Sequence, residues 1–131
     1  MQAPTQNTDG IDTFYTDNIT LRRWDVTGGD DAVAPKANTS NLLVQDSRFH
    51  GTSGVAVGSI GQYPGVYEFI ENVTAERIVC DGCHHVGHVK TWTGVELGVP
   101  PNGQCGLCYS SALEDMLLKR RYRWWRRSGI C

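Results

Sequence analysis

One short pattern recurs in this chain and limits what it can fold into. Asn18-Ile19-Thr20-Leu21, Asn41-Leu42-Leu43-Val44 and Asn72-Val73-Thr74-Ala75 each open a similar unit, at steps of 23 and 31 residues. Each unit runs on through a short β-branched stretch to a turn that contains glycine, over residues 22–29, 45–51 and 76–82. A second short strand follows each turn, at Ala32-Val33-Ala34, Gly54-Val55-Ala56-Val57 and Gly87-His88-Val89-Lys90. No segment before residue 111 carries a helical period, so the body is all-β. Units of this length cannot bury an apolar face alone and must stack on one another, which favours a parallel β-helix over a sandwich. Stacking would align Ile19, Leu42 and Val73, and also Leu21, Val44 and Ala75, as inward ladders, with the Asn column forming an amide ladder where the chain turns. The longer third step is explained by an insertion over residues 58–67, read as a protruding loop. On this reading residues 1–104 are an incomplete solenoid of about four to five coils, near the minimum for stability and with open strand edges.

The same period places acidic groups. Asp9 and Asp30 are 21 residues apart, so neighbouring coils bring them to matching points beside Asp31. An acidic pair after Gly28-Gly29 is ordinarily a solvated turn. Here a third aspartate arrives one repeat earlier, and His88 and Lys90 follow further on. Three carboxylates in one cleft suit glycoside hydrolysis, in which one carboxyl donates a proton to the leaving oxygen and another activates water. Crowding separates the two roles, because like charges raise one another's pKa.

The formal charge of −2 hides a split: residues 1–115 hold all 14 acids and six of the 12 bases, for −8, and residues 116–131 hold the other six bases, for +6. No apolar run reaches the roughly eighteen residues of a membrane span. The first residues, Met1-Gln2-Ala3-Pro4-Thr5-Gln6, lack the apolar stretch of a secretory signal. Three N-glycosylation sequons nevertheless occur, at Asn18, Asn38 and Asn72. Sequons without a leader are read as a secreted chain with a truncated start.

Asn7-Thr8-Asp9-Gly10, Gly29-Asp30-Asp31, Gly54-Val55-Ala56-Val57-Gly58-Ser59-Ile60-Gly61 and His88-Val89-Lys90 resemble, in order and spacing, the four motifs of the polygalacturonase family of pectin hydrolases. The resemblance covers about residues 5–104. It implies a right-handed parallel β-helix with an open cleft, inverting hydrolysis of galacturonate-containing pectic polysaccharide, an extracellular location, and no metal or cofactor. By motif, Asp30 would be the general acid, and Asp9 and Asp31 would hold and deprotonate the attacking water. Lys90 would bind a substrate carboxylate, Asn7 would help to place Asp9, and Gly28 with Gly29 would let the backbone approach the sugar. Two positions depart from the pattern. Ser53 stands where the family has histidine, and a serine cannot share a proton as imidazole does. His88 stands where it has arginine, which forfeits the bidentate fork for a carboxylate. Both favour an atypical branch, and Gly58-Ser59-Ile60-Gly61-Gln62-Tyr63 with Lys90-Thr91-Trp92-Thr93-Gly94 resemble the fungal exo-acting and rhamnogalacturonan-directed members. Ser53 and His88 keep substrate-binding positions beside Gly29. The expected enzyme is a monomer with no nucleic-acid or membrane partner.

After Gly103 the composition changes abruptly, and residues 105–131 read as an aberrant, basic, disordered tail. Tyr109 is the candidate for a substrate-contacting tyrosine that the family places further on. Trp124 and Trp125 among arginines carry the rival reading, a polyanion- or membrane-binding peptide in place of an enzyme. Met116-Leu117-Leu118 would permit a short helix. Cys80-Asp81-Gly82-Cys83 and Cys105-Gly106-Leu107-Cys108 have the spacing of a four-thiolate zinc site. Because the first pair lies within the resemblance, it reads instead as a local or coil-to-coil disulfide or as two free thiols, with Cys131 left odd. His84, His85 and His88 read as solvated loop residues rather than ligands.

Overall fold

The computed structural model describes residues 5–61, 63 and 66–91, together with the backbone of 112–119. The expectations for Cys105, Cys108, Tyr109, the Trp92 stretch and the Trp124-Trp125 run lie outside these residues. Eleven strands form, every pairing is parallel, and no helix occurs among the described residues. Three strands make a coil. The first holds β1 (Asp12–Thr13), β2 (Thr16–Arg22) and β3 (Asp25–Thr27). The second holds β4 (Ala34–Pro35), β5 (Thr39–Gln45) and β6 (Arg48–His50). The third holds β7 (Val55–Ile60), β8 (Phe69–Glu76) and β9 (Val79–Asp81). Strands β10 (Gly87–Thr91) and β11 (Ala112–Lys119) begin a fourth.

Like strands stack on like. One sheet runs β2-β5-β8-β11, another β3-β6-β9, and on the third side β1 pairs β4 and β7 pairs β10, joined by a Val33–Val55 bridge. This is a parallel β-helix. The registers Ile19–Leu42–Val73 and Leu21–Val44–Ala75 are those expected from the repeat. The ladders point inward because parallel strands covered on the core face need apolar side chains there. Leu42, Val44, Val73 and Ala75 are buried, as are Phe49, Val55, Val57, Ile60, Ile70 and Ile78. Phe49 is the largest fully buried side chain and fills the space between sheets.

The asparagine column departs from expectation in place and pairing. Asn18, Asn41 and Asn72 interrupt β2, β5 and β8 in mid-strand, each in the left-handed region with φ of 59°, 51° and 50°, a conformation asparagine tolerates better than most residues. Asn72 donates to Asn41 (2.5 Å), but Asn41 donates to Asp17 (2.6 Å) rather than to Asn18. At the next corner Arg23, Asp46 and Arg77 are also left-handed. Asp46 there accepts from Arg22 and from the Arg77 guanidinium.

Two boundaries differ from the sequence reading. Gly58, Ser59 and Ile60 belong to β7, so the inserted stretch begins at Gly61, whose N–H donates to the buried Glu68 carboxylate (2.7 Å). Within the stretch read as a tail, residues 112–119 form a strand against β8 where a short helix was allowed. A parallel edge offered by β8 satisfies the backbone groups of any extended segment laid along it. Cys80 and Cys83 are free thiols, both half-buried.

Candidate active site

The corner between the β3-β6-β9 sheet and the β1-β4, β7-β10 side carries the candidate acids and the substrate-binding candidates Ser53, His88 and Lys90. Asp9 precedes β1, Asp30 and Asp31 link β3 to β4, Ser53 links β6 to β7, and His88 and Lys90 lie on β10. Repetition of the coil brings Asp9, Asp31 and Ser53 into one column, while His88 and Lys90 pair with Ala56 and Gly58 further along the same side. The Asp12–Ala34 register and the Gly10 N–H bond to the Asp31 carbonyl (2.9 Å) make Asp31, rather than Asp30, the true counterpart of Asp9. One carboxylate oxygen from each of Asp9, Asp30 and Asp31 lies within 4.8 Å of the others. Such a trio has the spacing of a cation-binding group, but the positive charge bonded to it among the described residues is Lys90.

Each carboxylate is held differently. Asp30 is half-buried and accepts main-chain N–H bonds from Asn7 (2.7 Å) and Asp31 (3.0 Å). Asp31 is only 2% exposed and accepts from Lys90 Nζ at 2.5 Å. Asp9 is half-buried, and its carboxyl is pushed up to about 6. Burial is the main cause, followed by a hydrogen bond with Asp12 and the charges of Asp12, Asp31 and Asp30. Burial and its acidic neighbours thus favour the protonated form of Asp9.

Three expectations about supporting residues are refined. Asn7 acts through its main chain on Asp30, in a left-handed conformation (φ 54°), rather than on Asp9. A Cβ on Gly29 would come within 2.4 Å of the Thr5 main chain, so the missing side chain admits the segment that carries Asn7 to Asp9. That segment is also tied by Gly29 N–H to Thr8 Oγ1 (3.1 Å). Lys90, expected to meet a substrate carboxylate, is bonded to Asp31. Ser53 donates its N–H to the Asp30 carbonyl (2.8 Å) and so fixes the acidic turn by its backbone. His88 is half-buried and pushed down from the ordinary imidazole value, first by burial and then by Lys90 and His85, against the opposing pull of Asp31 and the Ser53 main chain.

Sequence reasoning missed Asp12 and Lys36. Asp12 hydrogen-bonds Asp9, and Lys36 Nζ lies 3.8 Å from Asp12 with its side chain 15% exposed. Applying the coil step to Asp12 would have brought Lys36 beside it. The sequons stand in three settings: Asn18 is exposed, the Asn38 amide oxygen accepts the Phe69 N–H (3.3 Å), and Asn72 is a rung of the amide ladder.

A parallel β-helix bearing three carboxylates and a lysine at one corner has the make-up of a carbohydrate-active hydrolase. The chain belongs to glycosyl hydrolases family 28, whose model matches residues 1–100. It is 43% identical over 115 residues to Alpha-L-rhamnosidase rgxB of Aspergillus niger, covering 87% of this chain and 27% of that protein. It is 44% identical over 107 residues to a Putative galacturan 1,4-alpha-galacturonidase A of Aspergillus flavus, covering 75% and 24%. With an Exopolygalacturonase of Cochliobolus carbonum the identity is 37% over 103 residues, covering 79% and 23%. The chain therefore spans about a quarter of the length of these relatives. No solved structure matches it.

Proposed function

We propose that these coils carry the catalytic corner of an extracellular enzyme that hydrolyses glycosidic bonds in pectic polysaccharide. The observation that carries the reading is the trio Asp9, Asp30 and Asp31, with oxygens within 4.8 Å of one another, in a member of family 28. Asp30 donates a proton to the glycosidic oxygen as its bond to the anomeric carbon breaks. Asp9 and Asp31 hold a water, take its proton, and direct its oxygen to the opposite face of that carbon, so the product is inverted. Lys90 bonds the buried Asp31 and aligns it. Relatives named for rhamnose and for galacturonate support a substrate among pectic chains containing either sugar.

A second assignment has its own support. The raised Asp9 carboxyl is suited to donate. In that scheme Asp9 is the acid and a neighbouring carboxylate activates the water.

The test is release of reducing ends from polygalacturonan and rhamnogalacturonan by the purified chain, with Asp30→Asn alongside and circular dichroism on both. Activity in the parent that Asp30→Asn removes, with the β spectrum kept, supports the first scheme. Retained activity in Asp30→Asn rejects Asp30 as the acid, and the anomer of the first product, read by NMR, separates inversion from retention.

A further inference from the structure

Among the described residues, two buried side-chain polar atoms have no hydrogen-bond partner, Asp31 Oδ1 and His88 Nδ1. Both belong to the corner described above, where the Asp31 charge acts on the His88 ring. Buried polar atoms are nearly always satisfied, so atoms left open at this corner mark where a ligand completes the structure. The chemistry of the pair restricts that ligand. Asp31 Oδ1 can only accept, and its partner must carry a hydrogen. A carboxylate carries none and would be repelled. A hydroxyl or water meets Asp31, and a hydroxyl also meets His88 Nδ1 in either tautomer of a neutral ring.

Charge points the same way. The corner holds Asp9, Asp12, Asp30 and Asp31, against which the described residues set Lys90, already bonded to Asp31, and Lys36, beside Asp12. His85 lies near the His88 ring, with centroids 4.9 Å apart. Burial keeps His88 from supplying a further cation. A uronate would bring another negative charge to a corner where the lysines among the described residues, Lys90 and Lys36, are already paired with Asp31 and Asp12.

We infer that the sugar unit seated against Asp31 and His88 is a neutral one, with rhamnose the pectic candidate, and that His88 is a specificity-determining residue that reads its hydroxyl. The inference rests on the hydrolase reading above and deepens it by choosing between the two sugar classes. Galacturonate then occupies other positions along the chain of the substrate.

The experiment compares methyl α-L-rhamnoside with methyl α-D-galacturonide as ligands of the 131-residue protein, by NMR titration at pH 7, for the parent, His88→Arg and His88→Gln. Expected is at least about tenfold tighter binding of the rhamnoside by the parent, a preference kept by His88→Gln and narrowed or reversed by His88→Arg, each tenfold being about 1.4 kcal/mol. Tighter binding of the galacturonide by the parent, or a ratio that His88→Arg leaves unchanged, overturns the inference and leaves the hydrolase reading standing. If His88→Arg fails to fold, loss of the preference in a folded His88→Gln overturns it equally. Binding of neither sugar by the folded parent overturns the hydrolase reading of this corner itself, and the inference with it.

Discussion

Lys90 and Asp31 are 59 residues apart in sequence, and the Lys90 ammonium donates to Asp31 Oδ2 at 2.5 Å. The carboxylate is 2% exposed, whereas the lysine side chain keeps 34% of its surface in solvent. A charge so deeply placed requires its partner, because removing one member of a buried pair strands the other. Lys90→Met is expected to cost about 2–3 kcal/mol in urea unfolding. Adding Asp31→Asn should recover at least about 1 kcal/mol, since neighbours in one ion pair are not additive. Two losses that simply sum would show that the contact does not hold the fourth coil to the second.

Asp9 makes stability depend on pH in a definite direction. Its carboxyl sits at about 6 in the folded chain against an ordinary 3.8, so the folded state favours the protonated form. Ionisation therefore penalises folding: the penalty is absent below about 4, grows as pH rises, and is complete above about 6. Asp9→Asn, which never ionises, should raise the melting temperature at pH 7 and give no gain at pH 4. An equal gain at both values would mean that packing, not charge, is responsible.

The Asn7 main chain is a second lever on the acidic turn. Its φ of 54° and its N–H bond to Asp30 are both needed. Asn7→Gly keeps both and should leave turnover within about twofold. Asn7→Pro removes the N–H and forbids the angle, and should reduce turnover by about tenfold or more. Equal rates in the two variants would remove Asn7 from the positioning of Asp30.

The core ladders predict a sharp contrast between positions. Leu42 is 1% exposed and stacked between Ile19 and Val73, so Leu42→Ala should cost about 2–5 kcal/mol. Val66 is 46% exposed, and Val66→Ala should change stability by no more than about 0.5 kcal/mol. Denaturant midpoints measured side by side check both.

Much of this arrangement was legible because a solenoid writes its period into the apolar positions. The steps of 23 and 31 residues give the register Leu21–Val44–Ala75 directly, and with it the meeting of Asp9, Asp30 and Asp31. What escaped depends on side-chain reach rather than on period. The Lys90 stem spans from the fourth coil to the second, and no spacing rule distinguishes that path from one into solvent. The Asp12 to Asp9 bond lies within one turn of chain, hidden because Asp12 had an unremarkable place at the start of β1. Gly29 is ambiguous in sequence for a related reason, since a bare Cα invites backbone and sugar alike, and the Thr5 main chain lies against it. The strand at 112–119 follows the exposed edge of β8 more than its own composition.

The bond between the Gly61 N–H and Glu68 closes the base of the inserted segment, while β7 and β8 on either side keep their pairings to the coils around them. The coils on either side are thus held by pairings that do not depend on the segment between those two residues. Such a corner behaves as a socket: segments of other lengths and sequences can be exchanged there without a new core having to be found. The solenoid can thus conserve its carboxylates and vary its accessories independently, which makes this position the first choice for grafting a foreign recognition loop.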